Sequence, residues 1–195
     1  MTQSETNRLL DRRDRYGWVS IALHWSAAAA VIALWFIGQG IEFAEPDQVG
    51  SRRRLHMSVG VTVWLLLALR LGWRLRFGHP RVGGVGRRTF RFARAVHYSV
   101  LAAIALMLVS GPVMAWANGG SIPVFSAFAI PAPFGESAPL RAAAHVVHVA
   151  AAQVVLWLTL LHVAGALVHL MFRDDDSFVR MLSPGRRRDG DQSGT

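Results

Sequence analysis

The chain has 195 residues, 52% of them hydrophobic, with 21 basic residues against 12 acidic ones and a formal net charge of +9. All 21 basic residues are arginine, and the chain has 8 histidines and no cysteine. That length allows one domain or two small ones, and the missing thiols exclude disulfides, thiolate metal sites, iron–sulfur clusters, covalent haem attachment and cysteine nucleophiles. A soluble chain this basic would point to nucleic acid, but the distribution of the apolar residues points elsewhere.

A helix needs roughly 20 apolar residues to cross a hydrocarbon core. Four blocks approach or exceed that, at about 18–41, 55–77, 95–117 and 142–172. Acidic residues occur only at their ends, and Arg70 alone of the arginines lies well inside a block, close enough to its end to snorkel. The first block is too long for a signal peptide, and three more spans follow it. Helices of a soluble bundle would show a polar stripe at helical period, and the stretches Ala27 to Phe36 and Leu101 to Val109 have almost none. The predicted fold is an all-α integral membrane four-helix bundle over residues 17–177, after a tail at 1–16 and before a basic, disordered tail at 178–195.

The arginines orient the spans. Arg8, Arg12, Arg13 and Arg15 precede the first block; Arg74, Arg76, Arg81, Arg87, Arg88, Arg91 and Arg94 join the second to the third; Arg173, Arg180, Arg186, Arg187 and Arg188 follow the fourth. The other two links carry only Arg52, Arg53, Arg54 and Arg141. The positive-inside rule then predicts that both termini and the middle link are cytoplasmic. Most of the net charge is thus an orientation signal, and nucleic acid is not needed to explain it. The link from Asn118 to Pro139 holds Pro123, Pro131, Pro133 and Pro139 among Val124, Phe125, Phe128, Ile130 and Phe134. It is too proline-rich for a helix and too apolar to be fully solvated, so it is expected along the membrane interface over the bundle mouth. No internal repeat, phosphate-binding glycine loop or serine-based triad is present.

Seven histidines lie within the spans or at their rims: His24, His56, His97, His145, His148, His162 and His169. His79, in Gly78-His79-Pro80, reads as a loop residue of the middle link. Ionisable groups inside a membrane are costly and usually functional, and so many together favour a cofactor. A bis-histidine haem needs two imidazoles at one depth on different helices. His148 and His162 fall within roughly 40° of one helix face and about 21 Å apart along it. His24 lies about 14 Å up from Arg15, and His162 about 17 Å up from Arg173. His56 lies about 27–32 Å up and His148 about 38 Å, a difference that helix tilt absorbs. Pairing by depth therefore selects His24 with His162 and His56 with His148, and pairing His24 with His148 fails by more than about 20 Å. Small residues beside these positions (Ala27 to Ala30, Gly60, Ala150 to Ala152, Gly165) suit a flat ring between helices, and equally suit plain helix contacts. His145 shares a face with His148 and is its competitor, about 4 Å further from the level of His56. His97 and His169 lie at the cytoplasmic rim beside the inner pair, where they read as propionate partners, proton carriers or a quinone site.

These residues resemble the bacterial cytochrome b561 family over nearly the whole chain. The likeness is carried by Tyr16 through Leu23-His24-Trp25, Leu55-His56-Met57-Ser58-Val59-Gly60, Ala95-Val96-His97-Tyr98, Ser110-Gly111-Pro112, His148, and Leu161-His162-Val163-Ala164-Gly165-Ala166-Leu167-Val168-His169 through Phe172-Arg173-Asp174. The resemblance implies a multi-pass protein of the bacterial inner membrane with two non-covalent b haems between its helices, held by the same four ligands that depth selects. One departure is that Val147 stands before His148 where the family often has an aromatic residue.

Two haems across a membrane would make an electron wire. Some family members resemble superoxide oxidases, which implies a periplasmic donor such as superoxide and ubiquinone in the membrane as acceptor. Arg52, Arg53 and Arg54, just before His56 on the side where arginine is disfavoured, are then expected to steer a small anion, with a propionate clamp or lipid contact as the alternative. A haem subunit of a dehydrogenase or hydrogenase complex passing electrons to quinone remains open. So does a non-redox helical transporter or assembly protein with structural histidines.

Overall fold

In the computed structural model, residues 9–11, 15–78, 87–172 and 181–182 are described. His79, much of the middle link and the tail from Ser183 lie outside them, as does the side chain of His169. Helices α1 (Trp18–Glu42), α2 (Val49–Phe77) and α3 (Arg87–Ala117) are followed by strands β1 (Ile122–Val124) and β2 (Phe128–Ile130) and by helix α4 (Ala138–Phe172). All four helices are long and apolar enough to cross a membrane, judged by length and composition. Even α1, the shortest at 25 residues, extends about 37 Å, against a hydrocarbon core of about 30 Å.

The helices outrun the apolar blocks. Helix α2 begins at Val49 and already includes Arg52, Arg53 and Arg54, while α3 begins at Arg87 and includes Arg88, Arg91 and Arg94. Apolar composition marks the hydrocarbon, whereas arginine is a good helix former and lets the helix continue beyond it.

Local chemistry sets the helix ends. At the start of α1 the Asp11 carboxylate accepts from the Gly17 N–H at 2.8 Å and from the Ser20 hydroxyl at 2.6 Å. A negative charge is thereby placed at the positive end of the helix dipole. A Cβ at Gly17 would collide with the Leu9 carbonyl, so that approach requires glycine. Helix α2 ends at Gly78, whose φ of 65° is the left-handed conformation that glycine adopts freely, and whose N–H bonds the Arg74 carbonyl at 3.0 Å. Within α3, Pro112 has no N–H to offer the Leu108 carbonyl. The Trp64 indole N–H of α2 takes that carbonyl at 2.9 Å. A defect in one helix thus becomes a stitch between two.

The helices pack as two antiparallel pairs, α1 with α2 and α3 with α4, and the two pairs meet more sparsely, chiefly between α2 and α3. The buried apolar cluster is small: Ala103, Ala151 and Val155, with Val31, Ile104 and Met107 against it. Large apolar side chains point outwards instead, with Phe36 65% and Trp157 66% exposed. A bundle solvated by hydrocarbon has this arrangement, because its backbone polar groups are satisfied inside each helix and its outer surface meets lipid.

The proline-rich link is not irregular throughout. It forms an antiparallel hairpin with Ile122 opposite Ile130 and Val124 opposite Phe128. Its strands are only three residues long, as two-stranded ribbons with prolines on the edge tend to be. The buried Ser58 hydroxyl of α2 holds it, donating to the Pro123 carbonyl at 3.0 Å and accepting from the Phe125 N–H at 2.9 Å. Phe125 has a φ of 51°, a left-handed conformation unusual for a bulky residue, and Ser58 anchors the turn at that point.

Candidate functional site

Two pairs of imidazoles face each other across the gap between the helix pairs. His24 on α1 and His162 on α4 have ring centroids 6.2 Å apart, with planes at 76°. His56 on α2 and His148 on α4 have centroids 6.3 Å apart, with planes at 85°. The first pair lies towards the end where the arginine-rich links emerge, the second towards the hairpin.

Close approach of the second pair depends on two glycines. A Cβ at Gly38 on α1 would lie 3.4 Å from the His56 ring, and one at Gly111 on α3 would lie 3.3 Å from the His148 ring. The contact at Gly111 is tighter than most side chains tolerate, and that at Gly38 is at the limit of ordinary van der Waals contact. Beside Gly111, the buried Ser110 puts its Oγ 3.1 Å from His148 Nδ1. His145, one turn away on α4, is exposed. Of the two histidines that compete in the sequence, His148 is therefore the one brought to His56.

His97 does not stand at the start of its helix. Because α3 begins at Arg87, His97 is nearly three turns in, and its ring lies 4.8 Å from that of His162. His24, His97 and His162 form one cluster. Of His169 only its place on α4 is described.

Two arginines near this cluster carry more than topology. Arg70 does not snorkel to the helix end; its Nη2 lies 3.4 Å from His24 Nδ1, and its Nη1 is buried without a partner among the described residues. Arg74 is 2% exposed and faces the equally secluded Asp11 at 3.7 Å. Its guanidinium also bonds the Gly78 carbonyl and stands 5.1 Å over the Tyr16 ring. Trp73 donates to the Ser20 Oγ at 2.7 Å, completing a polar network that ties α1 to α2. The sequence holds one signal for these groups, an arginine well inside an apolar block. Nothing local marks Ser110 or Ser58, whose partners lie 38 and at least 65 residues away.

Arg52, Arg53 and Arg54 are exposed on α2, and Arg52 donates to Gln48 Oε1 at 3.1 Å. Among the described residues none of the three forms an ion pair, although Glu42, Glu45 and Asp47 stand in the preceding segment.

The residues present fit a metal-centred ring. Two imidazoles that bind one metal from opposite sides, each about 2 Å away, have centroids about 6 Å apart. Both pairs meet that condition. Beside the first pair, Arg70 Nη1 is a buried donor without a partner among the described residues.

Fold and site together define a four-helix membrane protein of cytochrome type. The chain belongs to the prokaryotic cytochrome b561 family, whose model matches residues 15–184. It is 28% identical over 172 residues to cytochrome b561 homolog 2 of Escherichia coli (strain K12), covering 87% of this chain and 92% of that protein. It is 27% identical over 180 residues to cytochrome b562 of Cereibacter sphaeroides, covering 87% and 96%. The protein is accordingly a multi-pass b-type cytochrome of the bacterial inner membrane that binds haem b and works in electron transfer.

Proposed function

We propose that this cytochrome holds two b haems and carries electrons from a periplasmic donor such as superoxide to ubiquinone in the membrane, with both termini cytoplasmic. The observation that carries the reading is the pairing of His24 with His162 and of His56 with His148 at nearly equal separation, 6.2 and 6.3 Å, at two levels of one bundle. These four residues would be the axial ligands, since histidine is the nitrogen donor that a cysteine-free chain can offer. Bound there, each haem supplies a one-electron ferric–ferrous couple.

The chain's own residues do the rest. Gly38 and Gly111 leave room for the imidazoles. If His148 held the iron through Nε2, its Nδ1 would carry the proton and donate to Ser110 Oγ, which would fix the ring. Arg52, Arg53 and Arg54 gather anions beside His56. His97, packed on His162, and His169 are the groups proposed for quinone or propionate contact and proton delivery. Two superoxide anions each give up one electron and leave as dioxygen, and those two electrons with two protons convert ubiquinone to ubiquinol.

The test is pyridine-haemochrome quantification per chain. Two haems are expected, with one lost in each of His24→Ala, His56→Ala, His148→Ala and His162→Ala, and none lost in His145→Ala. A purified, folded chain without a b-haem band overturns the reading.

A further inference from the structure

Arg70 is a cation inside the bundle that feels Asp11 and Tyr16 at a distance but, among the described residues, forms no direct ion pair. It sits about 10 Å from the end of α2, level with His24, which is about 9 Å from the start of α1. The carboxylate near this end, Asp11, is already engaged by Arg74, Gly17 and Ser20. The Nη1 of Arg70 is buried and unsatisfied, and its Nη2 reaches the Nδ1 of His24 at 3.4 Å.

That contact cannot outlast metal ligation. A guanidinium only donates, so Nδ1 must accept, which leaves the imidazole proton on Nε2. Once Nε2 binds a metal, the proton stands on Nδ1 and that nitrogen no longer accepts. Both terminal nitrogens of Arg70 are then left without an acceptor among the described residues, in a low-dielectric setting where an unpaired charge is costly. A planar fork of two N–H donors matches a carboxylate.

Resting on the di-haem reading, we infer that Arg70 is the anchor for a propionate carboxylate of the haem held between His24 and His162. Arg70 thereby orients the ring about the axis that the two histidines define, which axial ligation by itself leaves free. It also supplies the counter-charge that a buried propionate needs.

The test uses the detergent-solubilised holoprotein. Resonance Raman spectra report the propionate bending band, which responds to hydrogen bonding of the carboxylate. Transfer of haem to excess apomyoglobin reports how tightly each haem is held. Arg70→Gln is expected to shift the propionate band of one haem and to accelerate one of two transfer phases about tenfold or more. Arg70→Lys keeps the charge but not the fork, so a smaller band shift is expected, and this variant carries the test if Arg70→Gln is not stable. A variant that loses haem faster but keeps the wild-type propionate band overturns the inference, because Arg70 would then serve His24 alone or another anion such as a lipid phosphate. That result leaves the di-haem reading standing; a wild-type chain with no haem removes the reading itself.

Discussion

At the scale of single residues, the two histidine pairs differ in what stands behind them. His148 has a serine hydroxyl against its Nδ1, whereas His56 faces the Leu34 backbone. A hydrogen bond from Nδ1–H makes an imidazole a stronger donor and favours ferric over ferrous iron. In the proposed di-haem arrangement, Ser110→Ala is therefore expected to raise the midpoint potential of the haem at His56 and His148, on the order of 60 mV if the relative affinity changes about tenfold. The other midpoint should not move. A redox titration with two resolved components checks this, with Ser110→Thr retaining the wild-type value. Ser110 was present in the sequence as part of Ser110-Gly111-Pro112, but its partner is on another helix, so its role was not legible there. His148 and His145 share a helix face, and only the packing of α3 on α4 separates them.

At the scale of elements, the bundle turns backbone defects into contacts. Pro112 leaves the Leu108 carbonyl open, and Trp64 on α2 closes it at 2.9 Å. Trp64→Phe is expected to cost about 0.6–1.7 kcal/mol in a membrane setting. In a Pro112→Ala background the restored N–H at position 112 satisfies Leu108 again, and most of that cost should vanish. A double-mutant cycle read by unfolding in detergent would measure the coupling, and equal costs in both backgrounds would show that the stitch is not the source. The proline of α3 could be read from the sequence; the tryptophan that answers it could not. The hairpin is a similar case. Prolines and aromatics in the last link suggested an irregular apolar segment. Its strands appear because Ser58 supplies two hydrogen bonds from α2, a partner at least 65 residues away.

At the scale of the whole molecule, charge has three separate uses. Arginines in the middle link and tails carry the proposed orientation signal. Arg70 and Arg74 are drawn into the bundle. Arg52, Arg53 and Arg54 remain exposed at the hairpin end. Glu42, Glu45 and Asp47 precede these three, so the segment as a whole is neutral, and the proposed steering requires that the arginines stand nearer His56. Changing all three to glutamine is expected to slow superoxide-driven haem reduction about threefold or more at low salt, with the difference closing as salt rises. Stopped-flow reduction over a salt series is the measurement. An unchanged rate would assign the cluster to lipid or propionate contact instead.

Much of this protein was settled by composition and spacing alone. Four apolar blocks of membrane length require four spanning helices, because hydrocarbon leaves backbone groups no partner but one another. Absent cysteine and abundant histidine limit any tightly held metal group to nitrogen ligands. Helical rise assigns the histidines to levels, since residue number along a spanning helix is a measure of depth. Depth, however, says nothing about azimuth. Which face of each helix turns inward depends on packing, and so the tertiary structure decided that His148 rather than His145 meets His56. It brought His97 onto His162 and gave His148 a hydroxyl. It also turned Arg70 inward, leaving a buried guanidinium that needs an acceptor no neighbouring stretch of sequence provides.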